Sequence, residues 1–330
     1  MIRISSKAYK KAGIFGCRLF FFPRIAAPIP LWYNVPDKKR RIRRLNDENG
    51  ENNGMNEIEN VFARRLCRGR VVFGAFYSRE LKLDWNYAVY LPAGYDEKDD
   101  TKKYPVIYLL HGAYGNCTDF LEKFSTPDMV DELIAQGRLP ECIVAFVDGF
   151  NAFYLDGPAM KMESAVMNDL IPFIESTYHG MGTKEGRVIG GISMGGFGTA
   201  RFCLKYPQMF AHAIMLSPAV WHEVVPGKAS CAGWGLFTQH LKDDWMACHP
   251  EAYLESYAKA DSPVNFFIAH GLADVDVLAE DVEMFVDKLR KVAPVVYLPA
   301  EGEEHCWPFW KIGLRTGLEY AGKFMLGTDK

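Results

Sequence analysis

The chain has 330 residues, 49% of them apolar and 24% charged, and a formal net charge of −3. That is length for one large domain or two small ones, and an ordinary globular composition. Residues 1–45 hold twelve Lys/Arg against the single acid Asp37, a net of +11, which leaves 26 basic and 40 acidic residues, a net of −14, in the remainder. A mildly acidic body gives no ground for nucleic-acid binding.

Residues 1–54 read as a basic extension and polar linker, and residues 55–330 as the folded domain. The apolar stretch Ile14–Phe22 is broken by Arg18 and followed by Pro23. It is too short for a membrane span and a poor secretory core, so membrane association is not expected. A transit peptide, or a surface anchor using Phe20–Phe22 and Trp32, is the alternative. Asn46–Gly54 is too polar to bury anything. The eight cysteines are dispersed, with no C-x-x-C pair and no metal-ligand spacing. They read as free thiols of a cytoplasmic protein, and no metal or cofactor is expected.

From Arg70 onward the pattern tightens. Val71–Tyr77 and Leu81–Tyr90 predict an antiparallel strand pair, and the continuous apolar run Val106–Leu110 a strand buried on both faces. Alternation follows: a helix over Met129–Ala135, strand Cys142–Val147, helix Ser164–Tyr178, a strand at Val188, and a helix to Tyr206. After strand Ala213–Leu216 come strand Val264–His270, helix Val275–Val292, strand Val295–Leu298 and a last helix from Trp307. This is the α/β pattern of a mostly parallel central sheet with helices on both faces and an antiparallel N-terminal pair. The stretch from Trp221 to Asp261 interrupts it with aromatics and few strand signals. It is either a lid or a helical excursion packed on the domain.

In such a sheet the ligand site lies beyond the carboxyl ends of the strands. Gly191-Ile192-Ser193-Met194-Gly195 sits in a strand–turn–helix context, where a sharp turn would expose the Ser193 hydroxyl and leave no space for side chains two residues either side. His270-Gly271-Leu272-Ala273-Asp274 and Glu301-Gly302-Glu303-Glu304-His305 follow later strands. A serine needs a base to attack an ester, a histidine suits that task, and a carboxylate orients the histidine. Ser193, His305 and Asp274 are the expected nucleophile, base and acid, with Asp276 the competing acid. The backbone N–H groups of Met194 and Ala113 are the expected oxyanion donors. His111 and His270 are expected to be structural. Trp221, Trp307 and Trp310 are candidate substrate contacts.

Leu109-Leu110-His111-Gly112, Gly191–Gly196, Gly271–Asp274 and His305-Cys306-Trp307-Pro308-Phe309-Trp310 together resemble the esterase branch of the α/β-hydrolases. That branch includes esterase D (S-formylglutathione hydrolase), feruloyl and acetyl-xylan esterases, tributyrin esterase and the mycolyltransferases. The segment Phe153–Pro158 is similar too. The resemblance runs from about Arg70 to Phe324 and implies an α/β-hydrolase fold with the same triad and oxyanion residues. It implies a serine carboxylesterase acting on short-chain or aromatic acyl esters, free or carbohydrate-linked. A thioester hydrolase or acyltransferase on the same triad, and a catalytically silent binding protein, are the alternatives. Homo-oligomerisation is left open. Residues 1–54 have no counterpart in the family, and the acidic run Glu301–Glu304 departs from its usual glycine-rich loop.

Overall fold

The computed structural model describes residues 68–222 and 241–329. The extension 1–54 and part of the Trp221–Asp261 stretch therefore lie outside the described residues. Eight strands form one sheet: β1 (Arg70–Ser78), β2 (Leu83–Leu91), β3 (Val106–Leu110), β4 (Ile143–Val147), β5 (Arg187–Ile192), β6 (His212–Leu216), β7 (Asn265–Gly271) and β8 (Val295–Ala300). Their order is β1-β2-β4-β3-β5-β6-β7-β8. β1 runs antiparallel to β2 and β2 to β4, and every other pairing is parallel. The chain thus winds outward in both directions from the central pair β3 and β5.

The strands that read as continuous apolar runs are the interior ones. Every residue of β3, β4 and β6 is buried. Alternate side chains feed two separate cores: Val106, Tyr108 and Leu110 on one face, Ile107 and Leu109 on the other. At roughly 1.5–3 kcal/mol for each large apolar side chain removed from water, these strands supply much of the driving force for closure. The edge strand β8 alternates between half-buried and exposed residues.

Seven helices matter for the site. α1 (Thr126–Ala135) and α7 (Trp307–Met325) cover one face, with Met129, Val130 and Leu133 of α1 and Leu314, Leu318 and Ala321 of α7 in its core. α2 (Ile171–Thr177), α3 (Met194–Lys205), α5 (Leu254–Lys259) and α6 (Ala279–Leu289) cover the other. α4 (Leu241–Cys248) also packs there through Trp245. α2 is entered through a π-helical segment, Ala165–Leu170, so the helix predicted over Ser164–Tyr178 is present but not uniformly α. α6 begins at Ala279, four residues later than the predicted Val275. The reason is local: an Asp274 carboxylate oxygen accepts the N–H groups of Asp276 and Val277 at 2.9 Å each, which holds a turn where the helix would otherwise start.

The described part of the Trp221–Asp261 stretch is a helical excursion packed on the domain. Trp245 is fully buried, stacks on Phe197 of α3 at 4.9 Å, and donates its indole N–H to the Trp221 carbonyl at 2.7 Å. Residues 223–240, including Trp234 and Phe237, lie outside the described residues. Among the described residues, no helix is long and apolar enough to cross a membrane. Among the described residues, Cys117, Cys142, Cys203 and Cys306 are free thiols.

Candidate active site

The register of β3 on β5 pairs Leu110 with Gly191, so the turn after β3 lies beside the turn after β5. Ser193 occupies that second turn with φ 53° and ψ −112°, a strained conformation for a residue with a side chain. The glycines around it are steric necessities. A Cβ on Gly191 would overlap the backbone of Gly195, and a Cβ on Gly195 would overlap the Leu110 carbonyl. The Ser193 N–H donates to the Leu216 carbonyl at 2.8 Å, and its own carbonyl accepts from Phe197 and Ala219 at 3.0 Å each. The bend is therefore fixed from β6 and from α3. Met194 opens α3, so its N–H has no acceptor within the helix.

The turn Gly112–Gly115 is closed by the Gly115 N–H donating to the Gly112 carbonyl at 3.1 Å. The same carbonyl lies 2.7 Å from Nδ1 of the buried His111, while His111 Nε2 accepts the Gly149 N–H at 2.8 Å. With Nε2 accepting, the neutral ring carries its proton on Nδ1 and donates it to Gly112. The carbonyl of the trans peptide 112–113 is thus held on one side and the Ala113 N–H on the other. His111 is structural, as the sequence implied.

On the other half of the site, Gly271 pairs with Ala300, which brings the loops after β7 and β8 together. The Ala273 N–H donates to the Glu303 carbonyl and the Leu272 N–H to the Ala300 carbonyl, both at 2.9 Å. Across this contact His305 Nδ1 meets the second Asp274 carboxylate oxygen at 2.6 Å. The Asp274 side chain is fully buried. Burial alone would push its carboxyl upward, but the His305 hydrogen bond and charge, with the Val277 N–H, outweigh that and hold it below the usual carboxylate range. Asp276 is the competing acid. It lines the pocket, and its carbonyl accepts the Trp221 indole N–H at 2.9 Å. His270 is fully buried, 4.0 Å from the Asp274 carboxylate, and burial is the main cause that lowers its pKa.

Trp310 ties the two halves together. Its indole N–H donates to Ser217 Oγ at 3.0 Å, its ring stands edge-on to His305 at 4.7 Å, and Trp307 stands edge-on to it at 5.0 Å. The result is a pocket of about 310 Å³ lined by Ser193, His305, Ala113, Trp221, Trp307 and Trp310, with Gly112, Tyr114 and Asp276. All three predicted tryptophans reach it. Tyr114 and Asp276 contribute without having been expected as contacts, although Tyr114 sits one residue beyond the expected donor Ala113. Among the described residues, no group of three His, Cys, Asp or Glu side chains is placed to hold a metal ion.

A serine on a strained strand-to-helix bend, beside a histidine bonded to a buried aspartate at the carboxyl ends of a parallel sheet, defines the α/β-hydrolase class. The comparisons with known proteins refine it. Residues 78–292 match the family described as "Putative esterase", and the chain belongs to that family. It is 33% identical to an endo-1,4-beta-xylanase/feruloyl esterase of Xylanibacter ruminicola over 48% of this chain, a match spanning 23% of that longer protein. It is 26% identical to an acetyl esterase of Caldicellulosiruptor saccharolyticus, over 75% of this chain and 96% of the relative. A solved ferulic acid esterase superposes with a TM-score of 0.66 over 78% of this chain and 99% of that one, at 24% identity, a likeness of fold. The chain is thus an esterase by family.

Proposed function

We propose that the protein is a serine carboxylesterase that works through an acyl-enzyme on Ser193. The observation that carries this reading is the 2.6 Å His305–Asp274 bond within a pocket that Ser193 also lines. With Nδ1 engaged by Asp274, Nε2 is the nitrogen left to take the Ser193 proton. The serine oxygen forms a bond to the acyl carbon, and the carbonyl electron pair moves onto oxygen. The N–H groups of Met194 and Ala113 are the donors for that oxyanion, each typically worth a few kcal/mol. Collapse expels the alcohol, which leaves with the proton held on His305. Water then repeats the sequence and releases the acid, returning Ser193 and neutral His305.

The pocket volume and its three tryptophans suit a short or aromatic acyl group. The names of two relatives, a feruloyl esterase and an acetyl esterase, favour the same range and a carbohydrate-linked alcohol. Burst kinetics with p-nitrophenyl acetate and covalent labelling by a fluorophosphonate test the mechanism. We expect wild type to label and Ser193→Ala to remain unlabelled. Equal labelling of the two would remove Ser193 from the mechanism.

A further inference from the structure

The turn that carries Ala113 has an unusual occupant. Tyr114 has φ 61°, Ala113 has no positive φ, and the Gly115 N–H closes on the Gly112 carbonyl. That combination is a type II turn, whose third position strongly favours glycine. A tyrosine there is strained. Reversing the central peptide, between Ala113 and Tyr114, would convert the turn to type I and relieve the strain. That reversal exchanges the Tyr114 N–H for the Ala113 carbonyl and redirects the Tyr114 side chain, while the 112–113 peptide that carries the Ala113 N–H keeps its place.

What opposes the reversal comes from elsewhere in the chain. The Tyr114 N–H donates to Asn151 Oδ1 at 2.6 Å, from the loop that follows β4. A reversed peptide would present a carbonyl to that oxygen. The loop itself is fastened to the same turn: the Gly149 N–H donates to His111 Nε2 at 2.8 Å and the Tyr154 hydroxyl to the His111 carbonyl at 3.1 Å. Phe150, Phe153 and Tyr154 in it all have positive φ, at 48°, 49° and 55°. A segment with that much backbone strain is held in one conformation by its surroundings, so Asn151 is presented to Tyr114 rather than free to follow it.

We propose that Asn151 is a positioning residue for the oxyanion turn: its side-chain carbonyl, through the Tyr114 N–H, holds Gly112–Gly115 in the type II form that keeps the Tyr114 ring at the pocket, beside Ala113. The proposal rests on the serine-esterase reading above. Asn151 acts on the bound ester through the Tyr114 ring, and a misplacement of about 1 Å in a positioning contact costs on the order of 100-fold in rate.

The test is a double-mutant cycle, because glycine at position 114 favours the type II turn without help. Wild type, Asn151→Ala, Tyr114→Gly and the double variant are compared for kcat and KM with p-nitrophenyl acetate. Asn151→Ser runs in parallel, should the alanine variant be insoluble. We expect Asn151→Ala to lower kcat by about 10- to 100-fold with KM within about threefold. In the Tyr114→Gly background the same substitution should cost less than about threefold. Unchanged kcat in Asn151→Ala, or an equal loss in both backgrounds, overturns the proposal, since a general packing role would not be relieved by glycine at 114. If wild type labels with fluorophosphonate no better than Ser193→Ala, the esterase reading has failed and the proposal falls with it. If wild type labels and the cycle shows no coupling, only the proposal has failed.

Discussion

The two walls of the pocket are built on different principles. The wall of the proposed nucleophile Ser193 (the nucleophile wall) sits on the interior strands β3 and β5, and exclusion sets which residues it can hold. Gly191 and Gly195 admit no Cβ, so the bend at Ser193 can be flanked only by glycine at these two positions. The acid–base wall sits on β7 and the edge strand β8, and its shape is held by hydrogen bonds. One Asp274 oxygen ties down the loop at Asp276 and Val277, and the other carries His305. In the proposed mechanism the serine has to be presented at a fixed angle, which its tight turn secures. The histidine would there accept and return a proton, which requires a bonded partner that stabilises its charged form.

If that contrast is right, each wall fails in its own way. Asp274→Asn should leave the acid–base wall standing, because an asparagine carbonyl can still accept the Asp276 and Val277 N–H groups. The bond to His305 then changes character and favours the wrong tautomer. We expect kcat to fall about 10⁴-fold with little change in melting temperature. Asp276→Asn, compared in the same assay, should cost less than about tenfold. An equal loss would transfer the acid role to Asp276.

Gly195→Ala should show the opposite signature. The added methyl overlaps the Leu110 carbonyl, a backbone atom of a fully buried strand that cannot step aside. Overpacking at such a site costs about 3 kcal/mol, so the melting temperature should fall by roughly 10 °C and activity should fall with it. A variant that lost activity at the wild-type melting temperature would show the nucleophile wall to be more pliable than its contacts imply.

The same difference explains what could be read from the sequence. Steric requirements leave a residue signature, so Gly-x-Ser-x-Gly after a β-branched run marks the nucleophile wall directly. Asp274 and His305, the proposed acid and base, could be nominated because each follows a strand end, and strand ends in a parallel sheet converge on one site. Asn151 was not, because its role is a bond to a backbone N–H 37 positions away, and a backbone donor leaves no trace in the sequence. The late start of α6 was illegible for a related reason. Apolar periodicity predicts a helix from Val275, and only the Asp274 side chain, competing for two backbone N–H groups, delays it. Trp245 read equally well as lid or core, since an aromatic in an irregular stretch does not say what it faces. Its burial against Phe197 decides for the core.

Acid provides the finest probe of the two walls. Burial lowers the pKa of His249 and of His212 to about 4, with smaller opposing contributions from Glu251 and Asp329 respectively, and burial likewise lowers that of His270. An unfolded chain takes up protons at His249 and His212 near pH 6.5, whereas the fold refuses them there until pH falls to about 4. Their contribution is therefore fully present above about pH 6.5 and is lost as pH falls through that window. Each such histidine should remove about 1 kcal/mol of stability between pH 7 and 5.5. The depressed Asp274 carboxyl acts lower still: its contribution is present above the ordinary carboxylate pKa of about 4 and is lost only as pH falls through the folded value. His249 stands edge-on to Phe197 of α3 and to Trp245, behind the nucleophile wall, whereas His270 sits beside Asp274. Denaturant midpoints for wild type and His249→Gln at pH 7 and 5.5 should show the variant with the flatter dependence, by about 1 kcal/mol. Identical slopes would mean that His249 takes up its proton in the folded state as readily as in the unfolded chain.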